Sequence, residues 1–335
     1  MVISGGGPAS FLLKENIKPG DVITAQFNVK SACNLDWTNI EQAAGGGPWL
    51  LKDGNVCIDF AEENWNSTFS TTKHPRSAAG VTSDGKLILV TVDGRQSIST
   101  GISLQDLALL MKRLGAVNAI NLDGGGSTTL SVKGFLINSV SEGDERPVAD
   151  ALLVYAHQPI CPGIPKLKIS TASTEFASGQ GVQLALTSGD DAKPLTQDQL
   201  DKVIWGTTGG IGLVNQQGYF TPIKAGKGMI GAMIDSQSTE IVVNVVAGNP
   251  SKLTAQLVAD KVDPLRSILS ITASDANNNK VTGKEVLLNI TGGKSDLESG
   301  ITDDKGNFST GITWDAASTE RSAVAIVGNI SAEAK

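Results

Sequence analysis

The sequence has few of the residues on which metal and redox centres depend. Its 335 residues include three cysteines and two histidines, and 4% of them are aromatic. Cys33, Cys57 and Cys161 have neither a metal-ligand spacing nor a redox spacing, so no thiol-based centre is predicted. An odd number leaves at least one thiol unpaired, and Cys33 and Cys57 are either a disulfide pair or buried free thiols. No metal site is predicted, although the acidic residues leave room for a hard divalent cation such as calcium.

Other absences concern membranes and nucleic acids. No apolar stretch is long enough for a membrane span, and the first residues do not have the pattern of a signal peptide, as in a secreted protein after processing. The formal net charge is -7 and the pI is about 5.0. Nucleic-acid binding depends on a basic surface, so we expect no nucleic-acid partner. A phosphate group would have to be held by a few local cations.

The most specific segment is NAINLDGGGSTTL at residues 118–130, a short apolar strand that leads into an acidic residue, three glycines and three hydroxyl residues. Successive glycines let backbone N–H groups approach an anion, and hydroxyl side chains add donors. The segment lacks the Lys-Ser/Thr pair of a P-loop and the acidic partner of a dinucleotide-binding motif. It is predicted to hold an anion, and the alternative is a tight glycine-rich turn.

The neighbouring segments predict a compact series of elements. Ser83-Asp84-Gly85-Lys86 predicts a hairpin turn between strands 77–82 and 87–92. Ser103 lies three residues before Asp106, and apolar residues follow at helical intervals until Gly115, which predicts a helix between them. Strands are also predicted at 117–122 and 136–138, and an apolar run follows at 151–155.

Three collinear stretches carry a family resemblance: HPRSAAGVTSDGKLILVTVDGR, GISLQDLALLMKRLGAVNAINLDGGGSTTL and ERPVADALLVY. Together they resemble the phosphodiester glycosidase (uncovering-enzyme-like) family, which removes N-acetylglucosamine from a phosphodiester-linked sugar. The resemblance covers residues 40–157 well and residues 1–39 less closely. It implies an α+β domain, with a mixed sheet and helices, whose motif positions converge on one pocket.

The resemblance also implies roles for particular residues. Asp123 is the expected base or nucleophile, with Glu145 as its partner and Asp93 as a further catalytic carboxylate. Arginine binds phosphate through two parallel hydrogen bonds, and the expected phosphate or substrate ligands are Arg76, Arg95, Gly124, Gly125, Gly126, Ser127, Thr128 and Arg146. For Asp93 the alternative is a turn residue, and for Glu145 and Arg146 it is a solvated ion pair. His74 is interpreted as a loop residue.

The sequence departs from the family pattern at its N-terminus. Ser77 replaces a threonine that many relatives carry, which keeps the hydroxyl. The chain opens at Met1-Val2-Ile3-Ser4, at what resembles the interior of the family domain. We therefore expect the domain at 1–157 to be N-terminally truncated, which puts catalysis in question.

Beyond this domain the composition changes. A proline-rich linker is predicted at 158–165, followed by short Val/Ile/Leu/Thr strands that are typical of β-sandwiches. Residues 166–251 resemble a bacterial Ig-like module, and residues 252–335 resemble an invasin-type Ig-like repeat. Trp205 and Trp314 are expected in the cores of these modules.

Two functions follow from this organisation. In the first, the N-terminal domain hydrolyses a sugar-1-phosphodiester in an extracellular glycan, and the Ig-like modules serve as spacers or adhesive elements on a bacterial cell or phage surface. In the second, the domain only binds a phosphorylated carbohydrate, and the chain is a recognition or adhesion protein. The separating feature is whether Asp123 and Glu145 share an open pocket with the glycines and arginines.

Overall fold

The computed structural model describes residues 15–22, 24, 40–58, 67–155, 166–189 and 193–334. The chain divides into two compact units, Met1–Ala44 and Gly45–Lys335. The strands and helices whose bounds are given below lie in the second unit. The predictions on Cys33, Cys161, the 158–165 linker and the first residues of the chain lie outside the described residues. The predicted domain boundaries stay predictions.

A five-stranded antiparallel sheet carries the segments of the family resemblance. Its strands are β1 (Trp49–Lys52), β2 (Asn55–Val56), β3 (Arg76–Thr82), β4 (Leu87–Val92) and β5 (Ala116–Leu122), in the order β2-β1-β5-β3-β4. The predicted β3–β4 hairpin and the predicted strand β5 are both confirmed. The expectation of a mixed sheet is wrong for the described strands. Strands β4 and β5 run in the same direction, but β3 lies between them and pairs antiparallel with both.

The predicted helix is present and covers one face of this sheet. Helix α1 (Ser67–Thr71) is short, whereas α2 (Leu104–Arg113) begins after the N-cap Ser103, whose hydroxyl accepts a hydrogen bond from the Asp106 N–H at 3.1 Å. The side chains that α2 buries against the sheet are Leu104, Leu107, Ala108 and Met111. Gly115 follows the helix with φ +95°, a value that suits glycine at a helix end.

The next part of the chain is a β-sandwich. Its elements are β8 (Leu167–Ser170), β9 (Glu175–Ala177), β10 (Val182–Gln183), β11 (Ala185–Ser188), β12 (Lys193–Pro194), α3 (Gln197–Leu200), β13 (Ile204–Thr207), β14 (Gly212–Val214), β15 (Tyr219–Pro222), β16 (Gly226–Ile234) and β17 (Gln237–Val246). Two strands from the preceding domain, β6 (Ser131–Val132) and β7 (Phe135–Leu136), extend one of its sheets, in the order β6-β7-β13-β16-β17-β9. The strand predicted at 136–138 is therefore displaced toward the N-terminus.

A second sandwich follows. Its strands are β18 (Lys252–Ala259), β19 (Arg266–Ser274), β20 (Glu285–Thr291), β21 (Gly293–Ser295), β22 (Ser299–Ile301), β23 (Asn307–Trp314), β24 (Ser322–Val327) and β25 (Ile330–Ala334). They form the sheets β18-β19-β23-β21 and β22-β20-β24-β25. Trp205 and Trp314 are buried among the apolar residues of the first and second sandwich respectively, as predicted.

The described part of the chain is mostly β-sheet with few helices. Residues 151–155 have no regular secondary structure, and Leu153, Val154 and Tyr155 are exposed. Cys57 is a half-buried free thiol. Within the described residues, we find no helix with both the length and the apolar character needed to cross a membrane.

Candidate functional site

The register of the first sheet brings the predicted motifs to one edge. Ser77 pairs with Leu122, so Arg76 at the start of β3 lies beside Asp123 at the end of β5. Arg76 also pairs with Val92, which places the Asp93–Arg95 segment at the same edge. Because neighbouring strands run antiparallel, the start of one strand and the ends of its two neighbours must meet there.

A cavity of about 640 Å³ opens at this edge and is here named the glycine-loop cavity. It contains most of the predicted site residues. The predicted residues in its wall are Arg76, Arg95, Asp123, Gly124, Gly125, Gly126 and Arg146. Its other described residues are Gly45, Gly46, Gly47, Phe69, His74, Pro75, Asn121 and Leu122. Asp93, Ser127, Thr128 and Glu145 are not part of this wall.

The glycine loop is ordered by its own hydrogen bonds. The Gly124 N–H donates to Asp123 Oδ1 at 2.8 Å, and the Gly125 N–H donates to the Pro75 carbonyl at 2.9 Å. These bonds engage two of the three glycine N–H groups and leave at most that of Gly126 for an anion. The loop then forms a 3-10 helix over Gly125–Ser127. The predicted cradle of three N–H groups is thus smaller than the sequence suggested.

Close packing explains the glycines at 124 and 126. A Cβ on Gly124 would lie 2.8 Å from the Pro75 carbonyl oxygen, and one on Gly126 would overlap the head groups of Glu142 and Arg146. Gly125 has φ +64°, in the left-handed region that favours glycine. The loop is therefore both a tight turn and the floor of the cavity.

Arg76 is a buried brace. Its side chain is 1% exposed, and Nη2 donates to the carbonyls of Phe69 at 2.6 Å and Thr72 at 3.2 Å. The guanidinium also lies 4.3 Å from the centre of the Phe69 ring. Burial and the charge of Arg95 lower the pKa of Arg76 to about 10. These contacts fix α1 against the start of β3 and engage one end of the guanidinium that was expected to hold phosphate.

Arg95 and His74 form a pair at the mouth of the cavity. Arg95 Nη2 lies 3.2 Å from His74 Nδ1. Burial, followed by the charges of Arg95 and Arg76, lowers the pKa of His74 below its ordinary value. A neutral ring accepts the Arg95 hydrogen bond at Nδ1 and carries its proton on Nε2. No role for His74 in the site was predicted. The sequence feature that could have indicated one is its position two residues before Arg76.

Asp93 serves the structure of the loop beyond β4. Its Oδ1 accepts a hydrogen bond from Asn138 Nδ2 at 3.0 Å, and its Oδ2 accepts one from the Ser139 N–H at 3.0 Å. Burial raises the pKa of this carboxyl, and the two hydrogen bonds oppose that effect. Asn138 also accepts from the Leu130 N–H at 2.7 Å. Asp93 therefore fixes residues 138–139 behind the glycine loop.

The second carboxylate near the loop is Glu142. It forms an ion pair with Arg146, whose Nε lies 3.3 Å from Glu142 Oε2, and both side chains are nearly half exposed. Arg146 Nη1 also lies 3.5 Å from Ser127 Oγ. Glu145, the expected partner of Asp123, is exposed and absent from the cavity wall. The acidic residue that packs over the glycine loop is therefore Glu142 rather than Glu145.

Thr128 and Asn121 have contrasting environments beside the loop. Thr128 is buried and accepts a hydrogen bond from Ser77 Oγ at 3.4 Å. Asn121 is buried in the cavity wall, where Nδ2 donates to the Gly47 carbonyl at 2.8 Å and Oδ1 has no hydrogen-bond partner. The Gly45–Gly47 run facing it was also missed, although a glycine triplet before Pro48 is visible in the sequence.

Among the described residues, no three His, Cys, Asp or Glu side chains lie close enough together to hold a metal ion. What the cavity offers is a carboxylate at Asp123, a neutral imidazole, and the guanidinium groups of Arg95 and Arg146. This set suits a phosphate group next to a reacting carbon.

Comparison with known proteins relates the first part of the chain to a family. Residues 12–155 match the family described as phosphodiester glycosidase. The SPbeta prophage-derived protein YomE of Bacillus subtilis is 42% identical over 112 residues, which is 32% of this chain and 16% of that protein. The N-acetylglucosamine-1-phosphodiester alpha-N-acetylglucosaminidase of Mus musculus is 30% identical over 178 residues, which is 48% of this chain and 33% of that enzyme. The chain thus spans a third or less of the length of these two relatives.

A solved structure, the D00-D0 domain of Intimin, is 14% identical and covers 50% of this chain and 96% of its own, with a TM-score of 0.30. The resemblance found in the sequence motifs is confirmed: residues 12–155 match the phosphodiester glycosidase family, and two β-sandwiches follow them.

Proposed function

We propose that this protein hydrolyses the bond between the anomeric carbon of a sugar and the phosphate of a sugar-1-phosphodiester. The observation that supports this most directly is that Asp123 shares one cavity with Arg95 and Arg146. A carboxylate can then act at the anomeric carbon while guanidinium groups hold the phosphate. N-acetylglucosamine is the proposed sugar, because the mouse relative is named for its action on that sugar.

The proposed reaction uses Asp123 as a general base. Asp123 takes a proton from water, the water oxygen bonds to the anomeric carbon, and the bond from that carbon to the phosphate oxygen breaks. The electron pair of that bond leaves with a phosphate monoester, which Arg95 and Arg146 stabilise. A phosphate monoester is already a good leaving group, so the reaction needs little help from a general acid. The other products are the free sugar and a proton.

The remaining site residues have supporting roles in this proposal. Arg76 holds the cavity wall, and Asp93 holds residues 138–139 behind the glycine loop, through the hydrogen bonds described above. The Gly126 N–H is available to the phosphate, whereas Ser127 and Thr128 lie outside the cavity wall. Glu142 orients Arg146, and we assign no step to Glu145. No cofactor takes part in the proposed reaction, and activity in the presence of EDTA tests the calcium alternative.

The test is release of reducing sugar from a panel of sugar-1-phosphodiesters that includes UDP-N-acetylglucosamine. We expect Asp123→Asn to lower the rate by about 100-fold or more, the usual size of a general-base effect. Asp84→Asn is the matched control, because Asp84 lies in the exposed β3–β4 turn and contacts Lys86. Glu145→Gln should behave like this control. Equal rates for wild type and Asp123→Asn would contradict the proposal.

A second candidate function is binding of a phosphorylated carbohydrate without catalysis. It is favoured by one observation, namely that Glu145 does not join Asp123 in the cavity. Calorimetry with N-acetylglucosamine-1-phosphate separates the two functions. Binding by wild type with no release from any phosphodiester of the panel would favour the recognition function.

The proposed location is extracellular or surface-exposed, on a bacterial cell or a phage. The prophage origin of one relative and the two β-sandwiches support this placement. In this arrangement the sandwiches are spacers or adhesive elements. Protease accessibility of the chain on intact cells or virions would test it, with a cytoplasmic protein as the control.

A further inference from the structure

A second cavity, here named the junction cavity, lies where the first domain meets both sandwiches. Its volume is about 630 Å³, within the range of pockets that bury organic ligands. The first domain contributes residues 95–97, Thr100 and 139–143, the first sandwich contributes Gly210, Ile223 and Lys224, and the second sandwich contributes residues 276–279. All three parts of the chain therefore form its wall.

The junction is held by specific hydrogen bonds. Ser97 Oγ donates to Asn277 Oδ1 at 2.8 Å, which joins the first domain to the second sandwich. Asn277 Nδ2 donates to Ser178 Oγ at 2.8 Å, which joins the two sandwiches. Lys224 Nζ forms an ion pair with Asp144 at 2.7 Å, which joins the first sandwich to the first domain. The cavity is therefore built by contacts between all three pairs of modules.

The second-sandwich wall is organised from within by Asp275. Asp275 is 3% exposed, and its Oδ1 accepts hydrogen bonds from the N–H groups of Asn277 at 2.9 Å and Asn279 at 2.8 Å. Its Oδ2 accepts from the Gly248 N–H at 2.8 Å. A loop tied to a buried carboxylate in this way is preorganised, so a ligand would not have to order it.

The wall also offers a hydroxyl group that a ligand can reach. Thr100 is exposed and lies in this wall. A hydroxyl group both donates and accepts hydrogen bonds, so Thr100 can pair with a hydroxyl group of a ligand in the junction cavity.

Arg95 connects the two cavities, because it lies in the wall of both. A phosphate held by Arg95 would thus have the glycine-loop cavity on one side and the junction cavity on the other. In a phosphodiester, the sugar and the esterified alcohol are attached through two different oxygens of a tetrahedral phosphorus, so they extend in different directions from it. The sugar would occupy the first cavity, and the alcohol would extend into the second.

The chemistry of the junction cavity indicates the kind of alcohol. Amide and hydroxyl side chains dominate its wall, with small apolar surfaces from Val140, Ile223 and Ala276. The charge of Lys224 is balanced by Asp144, and the charge of Glu142 is balanced by Arg146. Hydroxyl and amide groups with apolar patches suit a sugar ring, and the balanced charges favour a neutral chain over an anionic one.

We propose that the junction cavity binds the alcohol half of the substrate and that this half is a neutral oligosaccharide. This inference rests on the proposed function for the position of the phosphate. It assigns the two sandwiches a direct part in substrate binding, because a site formed only by the first domain would lack residues 276–279 and Lys224.

A binding experiment on the full chain tests the proposal. The Asp123→Asn background prevents turnover, and calorimetry compares two probes: the methyl ester of N-acetylglucosamine-1-phosphate, and the same sugar phosphate esterified to a tetrasaccharide. We expect the long probe to bind about tenfold more tightly or better. Thr100→Val should weaken binding of the long probe by about threefold to tenfold, the effect of one neutral hydrogen bond, and leave binding of the short probe unchanged.

Thr174→Val is the matched control, since Thr174 is also exposed but lies outside both cavity walls. It should change neither affinity. Substitution of an exposed threonine should not lower the melting temperature of either variant, so a lower affinity in Thr100→Val would not reflect unfolding. A tetramer of glycerol phosphate attached in place of the tetrasaccharide should bind less tightly than the neutral probe.

The outcomes separate this inference from the proposed function. Equal affinities for the short and long probes, no effect of Thr100→Val, or binding of neither probe would overturn the inference. Tighter binding of the glycerol phosphate chain would overturn the assignment of a neutral oligosaccharide. If wild type binds the long probe more tightly but hydrolyses neither probe, the inference stands and the proposed function fails.

Discussion

The substitution Arg76→Lys distinguishes the two roles that this arginine has been given. As a phosphate ligand, Arg76 would tolerate lysine with a modest loss of substrate affinity and no loss of stability. As a brace, Arg76 would not tolerate lysine, because one ammonium group cannot reproduce the planar guanidinium that contacts the carbonyls of Phe69 and Thr72. The structure favours the second role.

The size of the effect follows from these contacts. Hydrogen bonds from a charged donor contribute about 1.5–3 kcal/mol each, and lysine should keep one of the two Nη2 bonds. Part of the contact with the Phe69 ring, worth about 1 kcal/mol, should also be lost. We therefore expect Arg76→Lys to lower the local unfolding free energy by about 3 kcal/mol. Each 1.4 kcal/mol is a factor of about 10, so this loss is roughly 100-fold in an equilibrium constant.

Hydrogen exchange measured on peptides can localise this effect in a chain with several modules. Amides of β3 and α1 should exchange about 100-fold faster in Arg76→Lys, whereas those of β19 and β23 in the second sandwich should not change. Arg95→Lys is the matched control, because Arg95 is exposed and its Nη2 contacts the His74 ring. It should weaken phosphate binding and leave exchange unchanged. Wild-type exchange rates in Arg76→Lys would refute the argument that Arg76 is a brace.

Further predictions concern His74 and the glycine loop. Because the pKa of His74 is lowered from 6.5, the unfolded chain binds more protons than the folded chain just below pH 6.5. The unfolding free energy should therefore decrease as the pH is lowered through that range. Proton NMR with His74→Gln as the assignment control would show this titration, and a pKa at or above 6.5 would contradict it. Gly124→Ala should lower the unfolding free energy measured in urea by about 1–3 kcal/mol, because the added Cβ would contact the Pro75 backbone. Gly126→Ala should lower the unfolding free energy by less than about 1 kcal/mol, because the half-exposed Glu142 and Arg146 side chains can move aside. Equal losses for the two variants would contradict this packing argument.

Local patterns in the sequence predicted the elements that form the site. The β3–β4 turn, the Ser103 cap and the Gly115 stop each depend on residues a few positions apart, and all three are present in the structure. The antiparallel arrangement of the sheet was not predicted. It depends on which strand β5 joins after α2, and no short-range pattern encodes that choice.

The site was predicted in part. The segments around Asp123 and Arg95 were identified correctly as neighbours because the family motifs order them along the chain. The role of Glu142 was missed, since residues 141–146 have no regular secondary structure and the sequence alone does not show which acidic residue folds back over Gly126. The hydrogen bonds that engage Arg76 and Asp93 also depend on tertiary contacts with Phe69, Thr72 and Ser139.

The hairpin of β6 and β7 explains why the boundary between the first domain and the first sandwich is less sharp than the sequence suggests. Leu136 in β7 pairs with Thr207 in β13, so one sheet is continuous across both. A Cβ on Gly206 would lie 2.7 Å from Phe135 Cβ, and one on Gly231 would overlap the Phe135 ring. Glycine inside a strand often marks the close approach of another group. These two glycines of the sandwich are therefore required by a phenylalanine of the preceding domain. This close packing indicates that the two modules pack as one body. The loop at 138–142 lies next to the hairpin, so its position depends on the sandwich.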